Sequence, residues 1–315
     1  MSASAPPTPA VRPSARPLRA GARLRAIAER GIEAGLLLAA LSSIAITAAI
    51  LWVLLSESAG FFRVVPVRDF LTDTMWTPLF ANPRFGILPL LSGTFVSAGV
   101  GLLVAVPIGL TTALYLSEFA HPRTREIVKP FLELLAGVPT VVYGYFALLF
   151  VTPLLQRWLF PELPGFNLLS PGIVIGIMII PYVSSVSEDA MRAVPMELRE
   201  AAFAMGATRL QVAARVVLPA ALSGVAAAFA LGMSRAVGET MVVAIAAGQQ
   251  PNLTLDPREP AATITAYIVQ VALGDLPHGS IGYLSIFAAG LALMLLTLVF
   301  NVAAWMLRRR FREVY

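Results

Sequence analysis

The sequence predicts an all-α integral membrane protein with six transmembrane helices, and three observations predict it. The 315 residues are 57% hydrophobic and only 13% charged, with a mean hydropathy of +0.78, against roughly a quarter charged in an average soluble protein. A membrane-crossing helix takes about 20 mostly apolar residues. Stretches of that kind occur at 35–56, 85–117, 134–156, 163–187, 219–255 and 280–307, the fifth interrupted by one pair of charges. Finally, the basic residues segregate. With the N-terminus inside, the loops 1–34, 118–130, 187–218 and 308–315 hold 17 of the 23 Lys and Arg, whereas 57–90, 156–170 and 248–279 hold 5. The bias of Lys and Arg towards the inner face then places both termini in the cytoplasm.

The elements come in order along the chain. Residues 1–30 form a basic tail. Its opening, "MSASAPPTPAVRPSARPLRAGARL", is too rich in Pro, Ala, Ser and Arg to bury a core and is expected to be disordered, touching anionic lipid. It does not read as a cleavable signal, because the basic region is too long and the apolar run behind it is long enough to stay in the membrane. The first span is expected at 31–58 and a periplasmic loop at 59–90. In that loop Trp76 and Phe80 suit a membrane–water interface or a short surface helix. Residues 91–307 carry the remaining five helices, with an inner loop at 190–218, and 308–315 form a basic C-terminal tail. The outer segment "PNLTLDPREP" (251–260) reads as turns. Pro107, Pro139 and Pro181 sit within or near spans and kink them or line a cavity. Gly93, Gly99, Gly101, Gly109, Gly137 and Gly144 let helices approach closely. Glu133 is expected at a solvated inner end, and Glu188 and Asp189 at the start of an inner helix.

Several functions are excluded. Cysteine is absent and the two histidines, His121 and His278, lie in different loops, so no metal site and no cofactor are expected. The one lysine, Lys129, stands between Val128 and Pro130, which rules out the Gly-Lys-Ser/Thr of a nucleotide-binding loop. Glu239 is the only acid placed firmly at membrane depth. Paired carboxylates for intramembrane catalysis are therefore missing, and the chain is expected not to be an enzyme. The arginines follow topology, so nucleic acid is not an expected partner.

The inner loop is the most informative stretch: "VPMELREAAFAMGATRLQVAARVVLPAALSG", residues 194–224. Pro195 suits the first position of a helix, and Glu197 and Glu200 favour its N-terminal turns. Ala201 and Ala202 keep one face small. Gly206 permits a sharp turn, a second short helix runs from Thr208 to about Val217, and Leu218-Pro219 opens the next span. By pattern alone this is a helix–turn–helix linker on the membrane surface. Glu200-Ala201-Ala202, Gly206 and Leu218-Pro219, at these spacings, resemble the EAA loop of permease subunits in binding-protein-dependent ABC importers of the type I fold. In that family the loop docks on a cytoplasmic ATPase.

A narrower resemblance covers the chain from about residue 70. "FGILPLLSGTFVSAGVGLLVAVPIGLTTALYLSEFA" (85–120), "LELLAGVPTVVYGYFAL" (132–148), "IMIIPYVSSVSEDAMRAVP" (177–195) and "SRAVGETM" (234–241) are similar to phosphate-specific permeases. The run from Trp76 to Thr94 is more like the PstC type than its homologue PstA. The resemblance implies a permease subunit in the bacterial inner membrane, with a second homologous permease, two cytoplasmic ATPase subunits and an extracytoplasmic phosphate-binding protein as partners. Inorganic phosphate is the implied cargo. The alternatives are the PstA-type partner and a sulfate- or molybdate-type permease. From other classes, a gradient-driven transporter or channel and a structural scaffold remain; no clear internal repeat and only one deep acid argue against the former.

Arg235 and Glu239 interrupt the fifth span and are the only charges between Pro219 and Asp256. A charge at the bilayer centre costs about 2.5–3.5 kcal/mol on insertion scales. On a helix starting near Pro219, Arg235 lies roughly 24 Å along the axis, and both residues project from one helical face. They form either a buried pair that fixes packing or a charged station on an anion path. The resemblance places both in the phosphate permease motif and favours the station.

Overall fold

A computed structural model describes residues 19–78, 80 and 82–310. Every named element among the described residues is a helix; the one β-bridge pairs Trp76 with Phe85. The order is α1 (Arg19–Phe62), α2 (Val67–Thr72), α3 (Leu88–Leu114), α4 (Pro122–Gly137), α5 (Thr140–Phe146), α6 (Thr152–Trp158), α7 (Leu169–Arg192), α8 (Met196–Ala204), α9 (Arg209–Val212), α10 (Leu218–Ala220), α11 (Leu222–Val237), α12 (Met241–Ala246), α13 (Ile264–Ala272) and α14 (Ile281–Arg310). Three five-residue π turns, Tyr115–Phe119, Ala147–Val151 and Ala213–Val217, extend or join these helices.

Four unbroken helices are long and apolar enough to cross a membrane: Glu29–Phe62, Leu88–Phe119, Leu169–Arg192 and Ile281–Met306. Among the described residues two bent pairs also pass the same test of length and apolarity, each a broken span or a re-entrant loop. Pro122–Gly137 meets Thr140–Trp158 at 87°, and Arg209–Ala220 meets Leu222–Val237 at 72°; with each pair as one span the count is six. The first bend falls at Gly137-Val138-Pro139, where glycine ends a helix and proline disfavours helical backbone in the residue before it. Beyond the bends the helices resume at Thr140 and at Leu222.

By its contacts the chain divides into two units, Met1–Val53 and Leu54–Tyr315. In the first, the expected coil of the basic tail gives way to helix from Arg19. Beyond Pro17 the sequence is Ala-, Arg- and Leu-rich, and these residues are strong helix formers. Residues 1–18 of that tail, and 311–315 of the C-terminal one, lie outside the described residues. Leu36, Leu37, Leu38, Ile44 and Trp52 are exposed, a surface suited to hydrocarbon.

In the second unit α3 and α7 are the central pair. Methyl groups built on Gly101, Gly109, Gly172 and Gly176 would meet the other helix at 2.6–3.0 Å. Only glycine lets the two backbones come this close. Gly93 lies so near the Ala262 carbonyl that a methyl would overlap it, and Gly144 packs on Met241 and Ile245 of α12. Gly99 and Gly137 differ: nothing lies within 4 Å of a methyl at either. The close-approach reading therefore fits Gly93, Gly101, Gly109 and Gly144 within this chain.

Trp76 corrects another expectation. It is 1% exposed and stacks edge-on against Phe70, Phe85 and Tyr267. A large ring finds more contact inside this aromatic cluster than at an interface. Phe80 alone stays outside, 71% exposed.

Gly93→Ala should lower stability by about 1–3 kcal/mol through overpacking, read as an earlier thermal transition in detergent. Gly99→Ala should leave that transition unchanged.

Candidate functional site

The two charges of the fifth span do not share one helix. α11 ends at Val237, and Glu239 lies in the non-helical turn before α12 begins at Met241. Gly238 and Glu239 still bond backward, their N–H groups donating to the carbonyls of Ser234 and Ala236. The turn swings Glu239 back towards α11, so the pair forms all the same: Arg235 Nη1 lies 3.4 Å from Glu239 Oε2.

The partners are unequally buried. The Glu239 side chain is 2% exposed and that of Arg235 38%. A buried carboxylate needs compensation, and Glu239 has two sources of it. Arg235 supplies charge, and the Val242 N–H at the head of α12 donates to Oε1 at 3.4 Å. The Arg235 guanidinium also meets the sulfur of Met178 on α7, with 3.9 Å between Nη2 and Sδ. More than a third of its side chain remains open.

Neighbouring elements hold this turn in place. Thr265 of α13 donates its hydroxyl to the Glu239 carbonyl at 2.6 Å. The start of α13 is in turn fixed to α3, where Thr94 Oγ1 accepts from Ile264 N–H at 3.1 Å. That contact is one step along α3 from the Gly93 approach. On the other side Gly144 of α5 receives α12.

The inner loop folds as two short helices and a turn. Glu200 and Ala201 lie exposed on α8, while Ala202 packs inward with Leu198 and Val212. Gly206 has φ +84°, the left-handed backbone that the sharp turn requires. Thr208 and Gln211 then cap α9 reciprocally. A π turn passes the chain to Leu218, half-buried against the same cluster, and to exposed Pro219. Both belong to the short α10, before the 72° bend.

Two residues that sequence reasoning passed over anchor this loop. Arg199, 8% exposed, faces Glu118 from α8 with both prongs of its guanidinium: Nη2 to Oε1 at 3.0 Å and Nε to Oε2 at 3.3 Å. It also donates to the carbonyls of Met191 at 2.8 Å and Val194 at 2.5 Å, closing the end of α7. Glu118 sits in the π turn that ends α3. A separation of 81 residues left no local signal for this pair. Glu188 and Asp189 also change place: they lie in the last turns of α7, with Glu188 wholly buried.

Breaking a buried pair costs about 3–5 kcal/mol because the remaining charge is stranded. Arg199→Met should lower stability by that order, measured by thermal unfolding. The double replacement Glu118→Met with Arg199→Met should lose less than Arg199→Met alone.

With the geometry in place, comparison with known proteins gives one answer. Residues 105–313 match the model of the binding-protein-dependent transport system inner membrane component. A probable ABC transporter permease protein, YqgH of Bacillus subtilis, is 34% identical over 232 residues, covering 74% of each chain. The phosphate transport system permease protein PstC of Mesorhizobium japonicum is 33% identical over 263 residues, 76% of this chain and 78% of that protein. Among solved structures, a bacterial ABC transporter that imports the acidic polysaccharide alginate aligns over 90% of this chain and 99% of its own, at TM-score 0.58 and 19% identity, a likeness of fold. With its apolar helices and a match that spans well over half of its length, the chain belongs to the binding-protein-dependent transport system inner membrane components, the multi-pass permeases of ABC importers.

Proposed function

We propose that this chain is the PstC-type permease subunit of an ATP-driven importer for inorganic phosphate, with Arg235 as a station on the anion's path. One observation carries the assignment of the site: an arginine more than a third open, held by a buried carboxylate at a broken helix. Guanidinium matches the oxygens of a phosphate in a fork. Glu239 competes with the anion for it, which keeps the station weak enough to release its cargo. The similarity to PstC supports phosphate as that cargo.

The remaining parts rest on the same reading. Residues 91–307 form the permease domain, entered from a first span at 31–58 and a periplasmic loop at 59–90, with both termini in the cytoplasm. A second permease completes the path, and a phosphate-binding protein delivers at the outer loops. Two ATPase subunits engage the loop 190–218 from inside. Exposed Glu200 and Ala201 with the Gly206 turn form the docking face, and Ala202, Leu218 and Pro219 carry the movement towards the fifth span. The chain holds no nucleotide loop, so ATP hydrolysis belongs to the ATPase.

Arg235→Gln should abolish labelled-phosphate uptake by the reconstituted importer while the complex still assembles; normal uptake would remove Arg235 from the path. Excess sulfate should leave wild-type uptake intact, and competition by sulfate would point to the broader oxyanion class. Gly206→Val forces a branched side chain into left-handed backbone at about 1–3 kcal/mol. The ATPase should then co-elute roughly tenfold less, since each 1.4 kcal/mol is a factor of ten.

A further inference from the structure

Glu188 is wholly buried, yet neither the anion path nor the docking face uses it. Three cations gather on it. Arg125 Nε lies 2.5 Å from Oε1, Lys129 Nζ 3.4 Å from Oε2, and Arg192 Nη1 3.9 Å from Oε1. Lys129 also donates to Asp189 at 3.2 Å. Arg125 and Lys129 both come from α4, the amphipathic helix before the 87° bend.

The setting of α4 gives this cluster its meaning. Among its described residues none is buried, so packing alone holds it weakly and the ion pairs decide where it goes. Glu188 stands on the last turns of α7, and only Ala193, Val194 and Pro195 separate α7 from α8. Arg199 of α8 bonds back to the carbonyls of Met191 and Val194, which makes the end of α7 and the root of α8 one piece. At its other end α4 continues through Pro139 into α5, whose Gly144 touches Met241 and Ile245 of α12. α12 begins two residues after Glu239.

We propose that Glu188 is a positioning residue for coupling: it locks α4 to the root of the docking loop, so that movement of that loop reaches α5, α12 and the Arg235–Glu239 turn. The proposal rests on the reading of the chain as an ATP-driven permease, and coupling between distant sites is established by measuring it rather than by tracing contacts. The informative quantity is phosphate transported per ATP hydrolysed, since a residue that only supports the fold changes the amount of assembled complex and leaves this ratio alone.

The experiment compares wild type and Glu188→Gln in the complete importer, reconstituted in vesicles with its binding protein and ATPase. Glu188→Gln should keep ATP hydrolysis within about twofold while transport per ATP falls roughly tenfold, and Glu188→Asp should recover part of the loss. A ratio within twofold of wild type, or hydrolysis and transport falling in parallel, overturns the proposal. Where Glu188→Gln does not assemble, Lys129→Gln decides. Lys129 is a quarter exposed and leaves Arg125 on the carboxylate. A ratio lowered by more than twofold supports the clasp and an unchanged ratio overturns it. Arg235→Gln in parallel separates the two ideas: intact transport there with a lowered ratio in Glu188→Gln keeps the clasp and discards the station.

Discussion

A carboxylate held away from solvent must be answered where it lies, and much of the architecture around Glu239 answers that demand. Arg235 brings the opposite charge from the helix before it, and Val242 brings an amide from the helix after it. The amide could not do so if the span ran straight, because the Val242 N–H would then be spent on the carbonyl four residues back, so the break at Gly238 is part of the solution. The exposed turn of backbone then needs partners of its own, because unpaired polar groups are costly in an apolar setting. Thr265 meets the freed carbonyl. The close approaches at Gly93 and Gly144 bring in the segments that hold Thr265 and α12. Charge, helix break and small residues form one linked requirement.

Much of the scaffold was legible in the sequence, because hydrophobic length is a local quantity. The spans, the Gly206 turn, the inner loop and the identity of Arg235 and Glu239 as partners could all be read from windows of a few tens of residues. The features that escaped depend on meetings between remote segments. Trp76 looked interfacial because Tyr267, which closes its aromatic cluster, lies far along the chain. The helix break after Val237 escaped because "MSRAVGETMVVA" has no proline, and its one glycine is tolerated in a span. Glu118 with Arg199, and Glu188 with Arg125, join positions 81 and 63 residues apart. No periodicity reports such pairs.

Two different forces hold the helices of the larger unit. α3 and α7 rely on dispersion, with glycines removing the side chains that would keep them apart. α4 relies on charge, gripping one buried acid with an arginine and a lysine. The first kind of contact resists any change in spacing. The second tolerates tilting of one element over another as long as the charges stay together. The fold thus places its stiff joint along the central pair and its compliant joint between α4 and the end of α7.

The π turn at Tyr115–Phe119 has a consequence for how such chains diverge. Its closing bond runs from the Ala120 N–H to the Tyr115 carbonyl at 2.8 Å, a loop one residue larger than an α-helix closes. Deleting Tyr115, Leu116 or Ser117 would restore regular winding and rotate the chain beyond the deletion, Glu118 included, by about 100°. Glu118 would then face away from Arg199 although every side chain needed for the pair was still encoded. At this joint the number of residues matters as much as their identity, so relatives that differ here by a gap are expected to seat α8 and α9 differently from relatives that differ by substitution.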